Sequence, residues 1–262
     1  FRSIGDWGSQ FGMLIAYLRW ESPELLDEPE KIRIEDLEDF YKKAKAKYDS
    51  DEEFAKFSRE QVVGLHNHES GTMLIWEKIV EQSRKHYLPL YGDDYLSVKL
   101  GREDERGESF YAGRLAGVVE MLKDKGIAEL SEGAWCVFCE GFTNKDGERL
   151  PFIVQKSDGA FLYATTDLAA LKFRVDELGA DRVVYVTDAR QKLHFEQLFA
   201  TARLAGIAGE GVDLVHIPFG TMLGADGKPF KTRSGESVKL KSLLDEAVVR
   251  ARCVVEDKNP QL

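Results

Sequence analysis

Gly159-Ala-Phe-Leu-Tyr163-Ala-Thr-Thr-Asp167-Leu-Ala-Ala170 reads as a strand that ends at a turn opening directly into a helix. Phe161, Leu162 and Tyr163 form a short β-favouring run after the turn signal Ser157-Asp158-Gly159. Thr165 and Thr166 suit an N-cap, which puts Asp167 in the first turn, where the helix dipole favours an anion. Leu168, Leu171, Phe173, Val175 and Leu178 then supply the apolar face of a helix over residues 166–178. A phenol and a carboxylate four residues apart at such a junction suit a cationic ligand: the carboxylate gives charge, the ring a π-face or a hydroxyl. Taken locally, the same residues also fit a plain helix cap beside a core tyrosine.

The segments on the C-terminal side decide between the two. Val183-Val-Tyr-Val-Thr187 has the continuous apolar character of a strand buried in a parallel sheet, and Leu214–Phe219 resembles it. A helix over His194–Ala205 closes at Gly206 between them, giving a βαβαβ run, half of a doubly wound α/β sheet. Polar sets follow each strand. Asp188-Ala-Arg190-Gln191 precedes His194, so Gln191 and His194 are placed to reach the crevice of Asp167. Gly220-Thr-Met222-Leu-Gly224 is followed by Lys228, Lys231 and Arg233 on a loop with glycines and a proline, suited to holding and releasing a polyphosphate. Open α/β sheets bind ligands at the carboxyl ends of their strands, so three such ends in a row favour a functional crevice.

With 262 residues, 43% hydrophobic and 31% charged, the chain has a globular composition and length enough for one large domain or two smaller ones. No stretch approaches the roughly 18 apolar residues of a membrane span. A net charge of −10 opposes a surface that grips nucleic acid everywhere but permits a local basic face. Three cysteines suggest a reducing compartment rather than a disulfide framework. Cys136 and Cys139 have CxxC spacing without a second pair, and their run reads as a buried strand rather than a metal site.

Gly5-Asp-Trp-Gly8-Ser-Gln-Phe-Gly12 reads as a glycine-rich loop feeding a buried helix. After a polar connector with Pro23 and Pro29, apolar spacing predicts three amphipathic helices, around 37–48, 54–65 and 74–82. The lysines at 42, 43, 45 and 47 read as a solvated face, and His66 and His68 as exposed turn residues. A strand is expected over Tyr91–Leu100, then a helix over 114–125 ended by Gly126. Strands at 134–138 and 152–155 are expected to bracket a turn at Asn144–Gly147.

The blocks GDWGSQFGMLIAYL, SDGAFLYATTDLAALKFRV, VVYVTDARQKLHFEQ and FGTMLGADGKPFKTRSGESVKLKSLLDEAVVRA resemble arginyl-tRNA synthetases, of class I, over nearly the whole chain. The resemblance implies a Rossmann-type α/β catalytic domain with a largely helical insertion that joins L-arginine to tRNA(Arg) with ATP and its Mg²⁺. It puts arginine recognition on Tyr163, Asp167 and Gln191, and ATP binding on His194, Gly220, Met222 and Leu223. Lys228, Lys231 and Arg233 fall where this class carries its KMSKS loop, here in degenerate form, and would stabilise charge on the pyrophosphate. No resident metal site is expected.

By the same resemblance, residues 1–20 belong to the first half of the Rossmann domain and 21–155 to an insertion. Residues 156–235 form the second half with its loop, and 236–262 begin a helical segment. The family's HIGH signature would lie before the GDWG block, so the chain is expected to be an internal piece, inactive alone, of a cytoplasmic, monomeric enzyme. A non-catalytic module that senses arginine or scaffolds a complex is the alternative.

Overall fold

The computed structural model describes residues 4–23, 32, 34, 36–220 and 240–259. In chain order the helices are α1 (Ser9–Glu21), α2 (Leu37–Ser50), α3 (Glu52–His66), α4 (Ser70–Tyr91), α5 (Glu108–Tyr111), α6 (Leu115–Asp124), α7 (Tyr163–Asp176), α8 (Lys192–Leu204) and α9 (Leu240–Lys258). The strands are β1 (Ala128–Ser131), β2 (Ala134–Val137), β3 (Phe152–Gln155), β4 (Arg182–Asp188) and β5 (Asp213–Phe219). Contacts divide the chain into two compact units, Phe1–Gly107 with Leu223–Leu262, and Glu108–Met222.

In the first unit, α1 packs on α3, and α2 and α4 flank them. Gly12 makes the close approach possible: a Cβ there would lie 2.8 Å from the Ser58 carbonyl and against Val62. Ile15, Phe54, Leu65, Ile75 and Ile79 are fully buried, so the expected apolar stripes do face one core. The helix starts are encoded locally. Asp36 accepts from the amides of Glu38 (2.9 Å) and Asp39 (3.1 Å), and Asp51 from that of Phe54 (3.0 Å). Lys42 and Lys43 pair with Glu38 and Asp39 one turn earlier, the expected solvated face. Trp7, in the glycine-rich loop, meets His66 and Trp76 edge-on, and the Trp76 indole donates to the Asp6 carbonyl (2.6 Å). His66 closes α3 rather than lying in the turn. His68 is in the turn, at φ 52°.

No strand forms at 91–100. Helix α4 runs on to Tyr91, and a turn follows in which Tyr95 N–H donates to the Gly92 carbonyl (3.1 Å). The aromatic and β-branched residues that suggest a strand have no partner strand there among the described residues, and Leu96 is exposed.

The second unit holds an antiparallel sheet, β1–β2–β3, and a parallel pair, β4–β5. Strands β2 and β3 lie where expected, and Asn144 builds the turn between them, its side-chain oxygen accepting from the amides of Asp146 and Glu148 (both 2.9 Å). Strand β1 carries little sequence signal. It exists through pairing with β2, across a tight turn whose Glu132 and Gly133 both have positive φ. Helix α6 ends as expected, with Gly126 at φ 66° and the Ile127 amide bonded back to the Leu122 carbonyl (2.9 Å). In the parallel pair, Val183 opposes Leu214 and Tyr185 opposes His216, with α8 as the crossover.

The segment 161–163 is not a strand. Phe161 makes a single antiparallel bridge to Gln155 across the Ser157–Gly159 turn, and α7 begins at Tyr163 with Leu162 as N-cap. The reason is Thr165. Its hydroxyl, fully buried, donates to the Val154 carbonyl of β3 and accepts from the Leu162 amide (3.4 Å), which winds the chain into a helix three residues early. The threonines therefore lie inside the helix, and Asp167 sits in its second turn. The continuous run is β4–α8–β5 rather than a full βαβαβ.

Candidate functional site

Strand β4 delivers the chain to the site with alternating burial: Val183 and Tyr185 face the core, Val184 and Val186 do not. At its carboxyl end Asp188 accepts from the Arg190 amide (2.8 Å) and from both arms of its guanidinium (2.9 Å each). That side-chain hydrogen bond is the main reason the Asp188 carboxyl is held below the ordinary carboxylate range. It fixes a single 3₁₀ turn over Ala189–Gln191, from which α8 starts, with His194 in its first turn.

His194 and Asp167 meet there. Imidazole Nε2 donates to Asp167 Oδ2 at 2.7 Å. The Tyr163 ring packs on the imidazole at 4.7 Å between centroids, with Phe195 at 5.0 Å and Phe152, from β3, at 5.8 Å. Thr165 sets the position of Tyr163 and Asp167 by pinning the first turn of α7 to β3. Tyr163 is 64% exposed, so it is a surface ring over the site rather than a core tyrosine.

Beneath this, Phe195 is 3% exposed and stacks on His216 (4.7 Å, 27°), whose Nε2 lies 2.8 Å from the Thr187 hydroxyl. Tyr185 packs on Phe195 at 4.8 Å, and its hydroxyl accepts from Arg174 at 2.8 Å. Burial pushes the Tyr185 phenol from 10.0 up to about 12, against the opposing pull of Arg174. The native state therefore holds this proton where the unfolded chain releases it. The linked stability is complete below pH 10 and drains away as pH rises through about 12. Between pH 9 and pH 11, wild type is expected to lose about 1 kcal/mol more unfolding free energy than Tyr185→Phe, read by urea titration.

The structure thus brings Tyr163, Asp167 and His194 together. Gln191 is exposed at the end of the 3₁₀ turn, and no contact joins it to Asp167 among the described residues. Gly220 is exposed just after β5. Met222, Leu223, Lys228, Lys231 and Arg233 lie outside the described residues. Sequence reasoning placed His194 within reach of the crevice of Asp167, where the structure joins the two, and the resemblance gave it to ATP; neither reading named Phe152 and Phe195 as the walls of the imidazole. The aromatic Phe195 beside His194 was the available signal. Cys136 is buried in β2 as expected, and Cys139 lies 3.5 Å from the Thr201 hydroxyl.

A half-buried carboxylate one helical turn from an exposed phenol can bind a cation with directed hydrogen bonds, and only one of its oxygens is bonded to His194. Nothing in the cluster is arranged as a nucleophile with its base. Among the described residues no three His, Cys, Asp or Glu side chains converge as metal ligands, and no helix is long and apolar enough to cross a membrane.

Comparison with known proteins places this geometry. The family model for the catalytic domain of class I tRNA synthetases (R) matches residues 1–262. An arginine–tRNA ligase from Nostoc sp. is 52% identical over 253 residues, which cover 97% of this chain and 42% of that protein. Its counterpart from Psychromonas ingrahamii is 49% identical, over 99% of this chain and 44% of the relative. The chain therefore spans less than half the length of the curated relatives it matches. The arginyl-tRNA synthetase structure from Plasmodium falciparum superposes with a TM-score of 0.74 at 29% identity, over 98% of this chain and 41% of that one. The Thermus thermophilus structure shares the fold, at a TM-score of 0.64 and 19% identity, over 100% of this chain and 47% of that one. The chain belongs to the arginyl-tRNA synthetase family of class I catalytic domains, an α/β fold of Rossmann type with a largely helical insertion.

Proposed function

We propose that this chain carries the arginine-selecting part of an arginine–tRNA ligase. In that reaction the arginine carboxylate attacks the α-phosphate of ATP and expels pyrophosphate. A ribose hydroxyl at the tRNA(Arg) 3′ end then attacks the arginyl carbonyl and expels AMP. The observation that carries the reading is the half-buried Asp167 carboxylate bonded to His194, on whose ring the exposed Tyr163 packs. A planar guanidinium presents two parallel donors to such a carboxylate, and the Tyr163 ring offers a face or its hydroxyl beside it. Gln191 is assigned to the polar wall of the same pocket.

On the nucleotide side, Gly220 and the backbone at Met222 and Leu223 are assigned to ATP. Lys228, Lys231 and Arg233 are assigned to charge developing on the pyrophosphate, from sequence alone. A Mg²⁺ would accompany the nucleotide and offset the charge of its phosphates. Catalysis here is positioning and electrostatics. The parallel pair β4–β5 supports the assignment of 156–235 to a Rossmann half, α2–α4 support a helical insertion within 21–155, and α9 supports a helical segment over 236–262. Residues 1–20 are assigned to the other half, and the enzyme to the cytoplasm as a monomer.

Arginine-dependent exchange of pyrophosphate into ATP, measured with tRNA present in the complete gene product, tests the reading. Arginine is expected to support exchange and lysine to fall short by roughly 1,000-fold or more, because a single ammonium leaves part of the polar wall unpaired. Arginine binding without any exchange would instead make the protein a sensor or scaffold.

A further inference from the structure

We propose that His194 is a positioning residue for Asp167, acting on arginine selection rather than on ATP. The inference rests on the ligase reading above. An aspartate carboxylate rotates broadly about its last bond, so nothing local fixes its plane. A guanidinium fork is planar and needs that plane fixed before both donors can align. His194 supplies the missing constraint through the 2.7 Å bond from Nε2 to Oδ2. The imidazole is itself unable to swing away. Its side chain is 11% exposed, against 30% for Asp167, and it is walled by Phe152, Tyr163 and Phe195. Nε2 is thereby committed to the carboxylate and does not serve the nucleotide. The Oδ1 oxygen, with no partner among the described residues, is left to the incoming guanidinium. Preorganisation of this kind saves the ordering cost at the moment of binding.

The test uses the complete gene product and compares His194→Ala with His194→Gln, whose amide nitrogen reaches about as far as imidazole Nε2. His194→Ala is expected to raise the KM for arginine roughly tenfold, the size of one charge-assisted hydrogen bond. The KM for ATP should stay within about twofold, and His194→Gln should return arginine KM to within about threefold of wild type. Thermal unfolding of the three proteins separates misfolding from this pattern: at matched stability, a glutamine variant no better than alanine overturns the proposal. So does a rise in ATP KM with arginine KM unchanged, which would put His194 on the nucleotide. Absence of arginine-dependent exchange in the wild type would overturn the ligase reading and this proposal with it. The ATP-side pattern in an active enzyme overturns this proposal alone.

Discussion

On the ligase reading, Asp167→Ala in the complete gene product is expected to lower arginine-dependent kcat/KM for ATP–pyrophosphate exchange by about 100-fold or more, a loss of about 2.7 kcal/mol of transition-state binding. The size follows from what remains after truncation. The guanidinium would enter a half-buried pocket without its counter-charge, and the His194 Nε2–H would lose its acceptor as well. A hydrogen bond to a charged group contributes about 1.5–3 kcal/mol, so losing one pairing already reaches the expected range. Asp167→Asn separates charge from shape: it keeps the volume but removes the charge, and its loss should approach that of alanine. Unfolding free energy should fall by only about 1 kcal/mol, for the lost bond to His194, because Asp167 is neither fully buried nor part of the apolar core. Full activity in Asp167→Ala would leave the family assignment standing and remove this residue from arginine recognition.

Why the site was partly legible in the sequence, and partly not, comes down to how far each constraint reaches along the chain. The three helices after residue 36 each bury one stripe, and the first two begin at an aspartate cap, so period and punctuation agree locally there. Strands β4 and β5 were legible for a similar reason, as apolar runs bounded by turn residues and separated by a helix-length crossover. The failures need partners distant in sequence. Strand β1, Ala-Glu-Leu-Ser, has weak β character and forms only because β2 lies beside it. The opposite error arose at 161–163, where β-favouring residues are overruled by a Thr165 hydroxyl bond to β3, eleven residues back. Asp167 and His194 were each recognisable as polar groups at helix starts. Their direct bond spans 27 positions and depends on how α7 packs against α8, which no local pattern encodes.

Phe195→Ala is expected to cost about 3–5 kcal/mol of unfolding free energy, the range for a buried phenylalanine whose cavity cannot fully collapse. Collapse is resisted here because the neighbours are anchored independently. His216 sits on β5 and bonds to Thr187, Tyr185 is held by Arg174, and both lie on paired strands of fixed register. Urea unfolding followed by far-UV circular dichroism measures the loss, and Phe195→Leu, which fills more of the space, should cost less than half as much. A loss under about 1 kcal/mol for alanine would mean that the Tyr185–Phe195–His216 stack does not hold the parallel pair to α8. The variant also reports on function, since Phe195 walls the ring that orients Asp167. At temperatures where it remains folded, arginine KM should rise while ATP KM stays near wild type. Phe195→Leu, the more stable of the two variants, should show a smaller shift of the same kind, because its side chain keeps part of the wall against the imidazole.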